Sequence, residues 1–152
     1  MKTTGQEETE KTFVQGALSA AFITKLVEKH NTRTDIGAHN IFLGRVRSDV
    51  IDGKEVKAID YSAYEEMAEN EFHKIQQEAL RQFDIICLHI FHSLGIVEAG
   101  GVSLCVFVAS AHREAAYKAS RHILEEIKTR VPVFGREILD DETHSWKSNN
   151  DK

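Results

Sequence analysis

Apolar residues recur along this chain in two rhythms, and the switches between them mark out its elements. Leu18, Phe22 and Leu26 fall on one stripe and predict a helix over 17–30. A longer stripe through Ala68, Phe72, Ile75, Ala79 and Phe83 predicts a helix over 65–83. A third, through Ala116, Ser120, Ile123 and Ile127, predicts one over 113–130. Pro132 forbids its continuation and pushes Val131 toward an extended conformation. Strand-like segments lie at 36–47, 56–64, 85–92 and 102–110, with a short one at 133–139. Residues 31–35 form a polar turn, and Asp52-Gly53 signals a hairpin. The 95–101 connection is long for a tight hairpin. Residues 1–12 read as a polar leader expected to fray, 148–152 as a polar tail, and 13–147 as one domain. Strands and helices mix without strict β-α-β alternation. The expected class is therefore α+β, a largely antiparallel sheet with flanking helices.

The remaining composition narrows the function classes. A chain of 152 residues can bury one substantial core. Its formal charge of -5 does not attract nucleic acid, so an anion site would need a local basic cluster on an acidic body. Cys87 and Cys105 each lie in an apolar run, form no C-x-x-C and read as reduced strand residues, as in the cytoplasm. No apolar run reaches transmembrane length, and the polar start is no signal peptide. His89 and His92, three apart in a strand, point to opposite faces. His30, His39, His73, His122 and His144 show no ligand spacing, so no metal is expected. P-loop, G-x-G-x-x-G and G-x-S-x-G patterns are absent from the sequence.

The candidate chemistry gathers around the last long helix. Val108-Ala109-Ser110-Ala111-His112-Arg113-Glu114 reads as a strand running into a helix start, where backbone N–H groups favour an anion. His112 and Arg113 sit at that junction. Lys128 and Arg130 crowd the far end, and a cation such as Arg130 would lower the pKa of Lys128, freeing it for proton transfer or nucleophilic attack. Arg45 and Arg47, two apart at a strand end, would point the same way and suit an anion clamp. Each segment also has a plain structural reading. His112-Arg113 can be a surface pair opening a helix, Lys128 a last-turn lysine complementing the helix dipole, and Arg45-Arg47 an exposed loop base. Trp146 reads as a packing anchor for the tail.

Taken together and in order, these segments carry a resemblance. Phe42-Leu43-Gly44-Arg45-Val46-Arg47, Tyr61 to Met67, His92-Ser93-Leu94-Gly95, Ser110-Ala111-His112-Arg113-Glu114, Lys128-Thr129-Arg130-Val131-Pro132 and Arg136-Glu137 resemble the MoaE family, the large catalytic subunits of molybdopterin synthase. The likeness spans roughly residues 36–147. It implies an α/β hammerhead-type fold and a cytoplasmic sulfurtransferase of molybdenum cofactor biosynthesis. Such an enzyme converts cyclic pyranopterin monophosphate to molybdopterin. The sulfur arrives as a thiocarboxylate on the C-terminal Gly-Gly of a small ubiquitin-like subunit. The implied assembly is a homodimer within a heterotetramer, with no cofactor, metal, nucleic acid or membrane partner.

The resemblance also implies residue roles. Lys128 is the catalytic acid/base. Arg45 and Arg47 supply basic positions at the strand end. His112 and Arg113 bind the substrate phosphate in the pocket of the partner protomer. The family often carries a second active-site lysine where this chain has Gly135. The neighbouring Arg136 can bind an anion there but cannot act as a base, which leaves Lys128 as the sole lysine. The alternative reading is a non-catalytic homologue that binds the ubiquitin-like partner and a phosphorylated ligand. A generic phosphate-binding domain would explain the basic residues but not their joint order.

Overall fold

Asp52 and Gly53 both adopt positive φ, 51° and 77°, as a two-residue hairpin turn requires. In this computed structural model, which describes residues 11–147, that turn joins β3 (Val50–Ile51) to β4 (Lys54–Ala63). The other elements are β1 (Phe13–Gln15), α1 (Ala20–Glu28), β2 (Ala38–Arg45), α2 (Glu65–Gln82), β5 (Cys87–Glu98), β6 (Val102–Ser110), α3 (Arg113–Arg130), β7 (Val133–Leu139) and β8 (His144–Trp146). The sheet runs β2-β6-β5-β4-β7-β8, with β3 on β4 and β1 on β5. Only β1–β5 is parallel among the described pairs, so the class is α+β as expected.

Three features depart from the sequence reading. β5 runs on through Gly95 to Glu98, so the supposed long loop is mostly strand and only Ala99, Gly100 and Gly101 make the turn. β1 and β8 were not anticipated, because three residues are too few to show a period. Thr12, placed in the polar leader, is buried. Its N–H donates to the Glu69 carboxylate at 3.1 Å, and its carbonyl accepts from the His92 N–H at 2.8 Å. Residues 1–10 and 148–152 lie outside the described residues.

Both faces of the central sheet are covered. On one, Ala68, Phe72, Ile75 and Ala79 of α2 and Ala116, Ala119, Ile123 and Ile127 of α3 pack on Leu88, Ile90, Leu104, Val106 and Val108. On the other, Leu26 of α1 and Leu18 pack on Phe91, Cys105 and Phe107. β6 is therefore buried on both sides and reads as one continuous apolar run. A third cluster, Val46, Val56, Ile59, Val97 and Leu139, closes the outer half of the sheet.

Arg130 ties α3 to α2. Its guanidinium donates to Glu78 at 2.6 Å and to Glu71 and Glu126 at 3.2 Å. Two residues along a helix is about 200° of rotation, so Arg130 faces away from Lys128. The expectation that these two cations crowd each other is corrected by that geometry.

Gly37, just before β2, packs tightly against the β6–α3 junction. A Cβ there would sit 2.2 Å from the Ala111 carbonyl oxygen, with backbone rather than a yielding side chain in the way. Gly37→Ala is expected to destabilise the fold by roughly 1–3 kcal/mol and lower the thermal midpoint by several degrees. An unchanged midpoint in a thermal unfolding scan would contradict this close approach.

Candidate functional site

The end of α3 opens onto a cavity of about 120 Å³, lined by Arg45, Tyr61, His92, Ser103, Lys128, Gly135 and Lys147 over an apolar floor that includes Leu104 and Ile127. Its position follows from the fold. The α2–α3 face of the sheet ends here, β2 runs out at Arg45, and β7 passes with a residue that has no side chain.

Lys128 stands in the last turn of α3, one residue beyond buried Ile127. Surrounding protein lowers its pKa from the ordinary lysine value, and the Lys147 ammonium pushes in the same direction. Crowding by a second lysine therefore holds, but the neighbour is Lys147 and not Arg130. Lys147 arrives through non-local pairing. β8 lies antiparallel to β7, with Trp146 opposite Arg136. The Lys147 N–H then donates to the Gly135 carbonyl at 2.9 Å. A second lysine thus enters the cavity beside Gly135, and the expectation of a sole lysine is corrected.

Gly135 itself has little room for a side chain. A Cβ would meet Ile59 Cγ2 at 3.0 Å and Tyr61 Cε1 at 3.4 Å. The Tyr61 hydroxyl is 3.1 Å from Ser103 Oγ, and burial raises the phenol pKa, so it stays protonated. His92 packs edge-on against Tyr61, ring centres 5.2 Å apart. Its Nδ1 lies 2.8 Å from the Ser93 carbonyl and donates to it, which leaves Nε2 as the acceptor. Burial, with a smaller contribution from Lys128, pushes its pKa down to about 4, so the ring is neutral at neutral pH.

The other residues singled out by sequence divide. Arg45 lines the cavity, its Nε and Nη2 donating to the Gly100 carbonyl at 3.0 and 2.6 Å. Arg47 does not. The β2–β6 register slips between Gly44 and Arg45 and β2 ends there, so strand alternation does not carry on to Arg47, which pairs with Asp49 at 3.3 Å. Arg136 points to the opposite side of β7 from Gly135 and pairs with Asp60 at 2.9 Å, so it does not fill the lysine position. His112 and Arg113 are exposed at the start of α3. Fifteen residues of helix separate Arg113 from Lys128, about 22 Å, too far to share one pocket within a chain.

Two further surfaces frame the site. A larger cleft of about 700 Å³ lies between β1 and α2, lined by Glu65, Glu66 and Glu69. Those carboxylates repel a phosphorylated ligand. Near the cavity, Tyr64, Phe134 and Trp146 form an exposed aromatic groove with Ser62 and Ala63. Trp146 is 67 % exposed, which overturns its reading as a packing anchor. Sequence reasoning also missed Lys147, Tyr61 and Ser103 as site residues. His92 offered one signal, a polar residue in register with Leu88 and Ile90 on the apolar face of its strand.

The cationic cavity can hold a small anion against two amines, one of them with a lowered pKa. Comparison with known proteins places this geometry in context. The family described as MoaE protein matches residues 14–130. A molybdopterin synthase catalytic subunit from Thermoplasma volcanium is 40% identical over 114 residues, covering 75% of this chain and 82% of that protein. The one from Rattus norvegicus is 36% identical over 113 residues, covering 74% of this chain. This chain matches 56% of the length of that rat relative. The crystal structure of molybdopterin synthase from Staphylococcus aureus superposes with a TM-score of 0.78 at 27% identity, covering 91% of this chain and 96% of that one. A Helicobacter pylori structure, a protein-protein complex of subunits 1 and 2 of molybdopterin-converting factor, gives 0.76 at 22% identity, covering 91% and 90%, and shares the fold.

The neutral His92 has a consequence for stability. Its folded pKa of about 4 lies below the ordinary histidine value of 6.5, so the unfolded chain binds the proton more readily. This group costs nothing above pH 6.5, and stability falls as pH drops from there toward 4. Between pH 7 and pH 5 it removes about 2 kcal/mol. His92→Gln is expected to lose that increment of acid sensitivity in denaturant titrations at the two pH values. Equal losses in both proteins would show that His92 titrates normally.

Proposed function

The chain belongs to the MoaE family, and on that footing we propose that it is the catalytic subunit of a cytoplasmic molybdopterin synthase. In this reading it moves sulfur from the thiocarboxylated C-terminus of a small ubiquitin-like subunit to cyclic pyranopterin monophosphate. The observation that carries it is the small cavity in which Lys128 and Lys147 share space with Arg45. At about 120 Å³ it is well below the roughly 300–1,000 Å³ of a pocket that encloses a small molecule. A narrow Gly-Gly tail fits such a slot, and the pterin then lies at its mouth.

The residues supply the chemistry in order. Arg45 and the two ammonium groups attract the thiocarboxylate and steady negative charge as it develops. The sulfur bonds to a substrate carbon, and an ammonium group gives a proton to the oxygen displaced. The tail is then joined to the substrate as a thioester. Water attacks the acyl carbon, neutral Lys128 takes its proton, and the acyl–sulfur bond breaks. Sulfur stays on the substrate and the small subunit leaves with a carboxylate. A second loaded subunit repeats the cycle to complete the dithiolene. Lowering the lysine pKa raises the neutral fraction available for the proton-accepting step.

The exposed Tyr64–Phe134–Trp146 groove offers an apolar seat for the small subunit. The complex of subunits known for the Helicobacter pylori neighbour supports a partner of that kind. β2 is an outer strand carrying exposed Phe42 and Leu43, which suits pairing with a second copy. A second copy is also what would bring His112 and Arg113 to the cavity. A docking module without chemistry has no use for an amine whose proton affinity is lowered by burial, with a second amine beside it, and for that reason the enzyme reading is preferred.

Single-turnover conversion with the thiocarboxylated small subunit tests this. Lys128→Ala is expected to slow sulfur transfer by at least about 100-fold with the fold intact. Lys147→Ala removes a neighbouring positive charge, so the rising limb of the pH–rate profile should move to higher pH. Full turnover by Lys128→Ala would remove that lysine from the mechanism. An unmoved limb in Lys147→Ala would uncouple the pair.

A further inference from the structure

The face of β5 opposite the cavity holds a second cluster with chemistry of its own. Cys87 and His89 are two apart and point to the same side, toward α1. His30, in the turn that follows α1, meets them there. One ligand atom from each of His30, Cys87 and His89 lies within 4.8 Å of the others, and all three residues are half-buried. The chain distance from residue 30 to residue 87 hides this group from any reading of sequence spacing.

The details resemble a ligand set more than a packing accident. His30 Nδ1 lies 2.8 Å from the Leu26 carbonyl and donates to it. That bond fixes the tautomer and leaves the Nε2 lone pair toward Cys87, whose Sγ is 3.4 Å away. A backbone partner on the outer nitrogen is the usual support for a metal-bound imidazole. In a tetrahedral zinc site the bond lengths set sulfur–nitrogen separations of about 3.6 Å, close to what is found. Three imidazoles, those of His30, His39 and His89, ring the buried Phe107 with centres 4.9, 4.6 and 5.8 Å from it. The His39 ring is 5.7 Å from that of His30, at the rim of the group.

We propose that His30, Cys87 and His89 form a binding site for a zinc-class divalent metal ion, with the fourth position taken by water. One thiolate and imidazole nitrogens select borderline-soft ions over magnesium or calcium. On binding, the Cys87 thiol gives up its proton to solvent and its sulfur bonds to the metal where the proton met His30 Nε2. The site lies across the sheet from Lys128 and takes no part in sulfur transfer. It ties the turn after α1 to the strand beneath and stands independently of the function proposed above.

Cobalt(II) titration of the full chain, reduced and metal-stripped, tests the proposal. The expected result is one equivalent bound with a thiolate-to-cobalt charge-transfer band and the visible bands of a tetrahedral ion, displaced by zinc. Cys87→Ser should abolish the charge-transfer band. His89→Gln should weaken binding by at least about tenfold. Cys105→Ser, which alters a buried thiol outside the group, should keep the band. Zinc should also raise the thermal midpoint of wild type but not of Cys87→Ser, which registers binding even if a variant folds less well. Absence of a charge-transfer band in wild type, or its survival in Cys87→Ser, overturns the site.

Discussion

Helix α3 is eighteen residues of continuous hydrogen-bonded turns, and its stiffness sets the terms for everything at its two ends. It holds Arg113 and Lys128 about 22 Å apart, and no side-chain rearrangement closes that gap. Its inward stripe of Ala116, Ala119, Ile123 and Ile127 fixes its depth on the sheet. Arg130, bound to carboxylates of Glu71, Glu78 and Glu126, fixes its alignment with α2. Lys128 at the cavity is thereby kept apart from His112 and Arg113 at the far end. A phosphorylated substrate that engages both must do so across two copies.

β5 is the strand on which both proposed chemistries rest. Over Cys87–His92 its even-numbered side chains Leu88 and Ile90 face α2 and α3, and His92 reaches the cavity. Its odd-numbered side chains face α1 and include Cys87 and His89. The pleat alone keeps the two apart. At the cavity, burial is the common physical cause. It drives His92 to neutrality and lowers Lys128, and the Lys147 ammonium pushes Lys128 further the same way.

Much of this was legible in the sequence. Helices α2 and α3 and strand β6 fall where periodicity and Pro132 put them, because each has enough residues to show its period and a clear stop. The Asp52-Gly53 hairpin was readable from residue type alone. Arg45, Lys128 and Gly135, each singled out in the sequence, line one cavity. What could not be read depends on pairing between distant segments. Lys147 reaches the site only because β8 adds to β7. Arg136 leaves it because a strand alternates, and Arg130 because a helix turns about 100° per residue. His30 meets Cys87 only through the packing of α1 on the sheet. Gly95 and the short β1 misled for a local reason, since one glycine or three residues carry too little pattern to decide strand from loop.

The central claim is that one copy supplies the lysine cavity and another supplies the His112-Arg113 end of α3. Mixing two inactive proteins tests it most directly. Lys128→Ala and Arg113→Ala, unfolded together and refolded with the thiocarboxylated small subunit added, should regain about a quarter of wild-type activity, because half the dimers are mixed and each carries one intact site. If the mixture stays as inactive as its components while mixed dimers are shown to form, the two ends of α3 do not serve a shared site and the account fails.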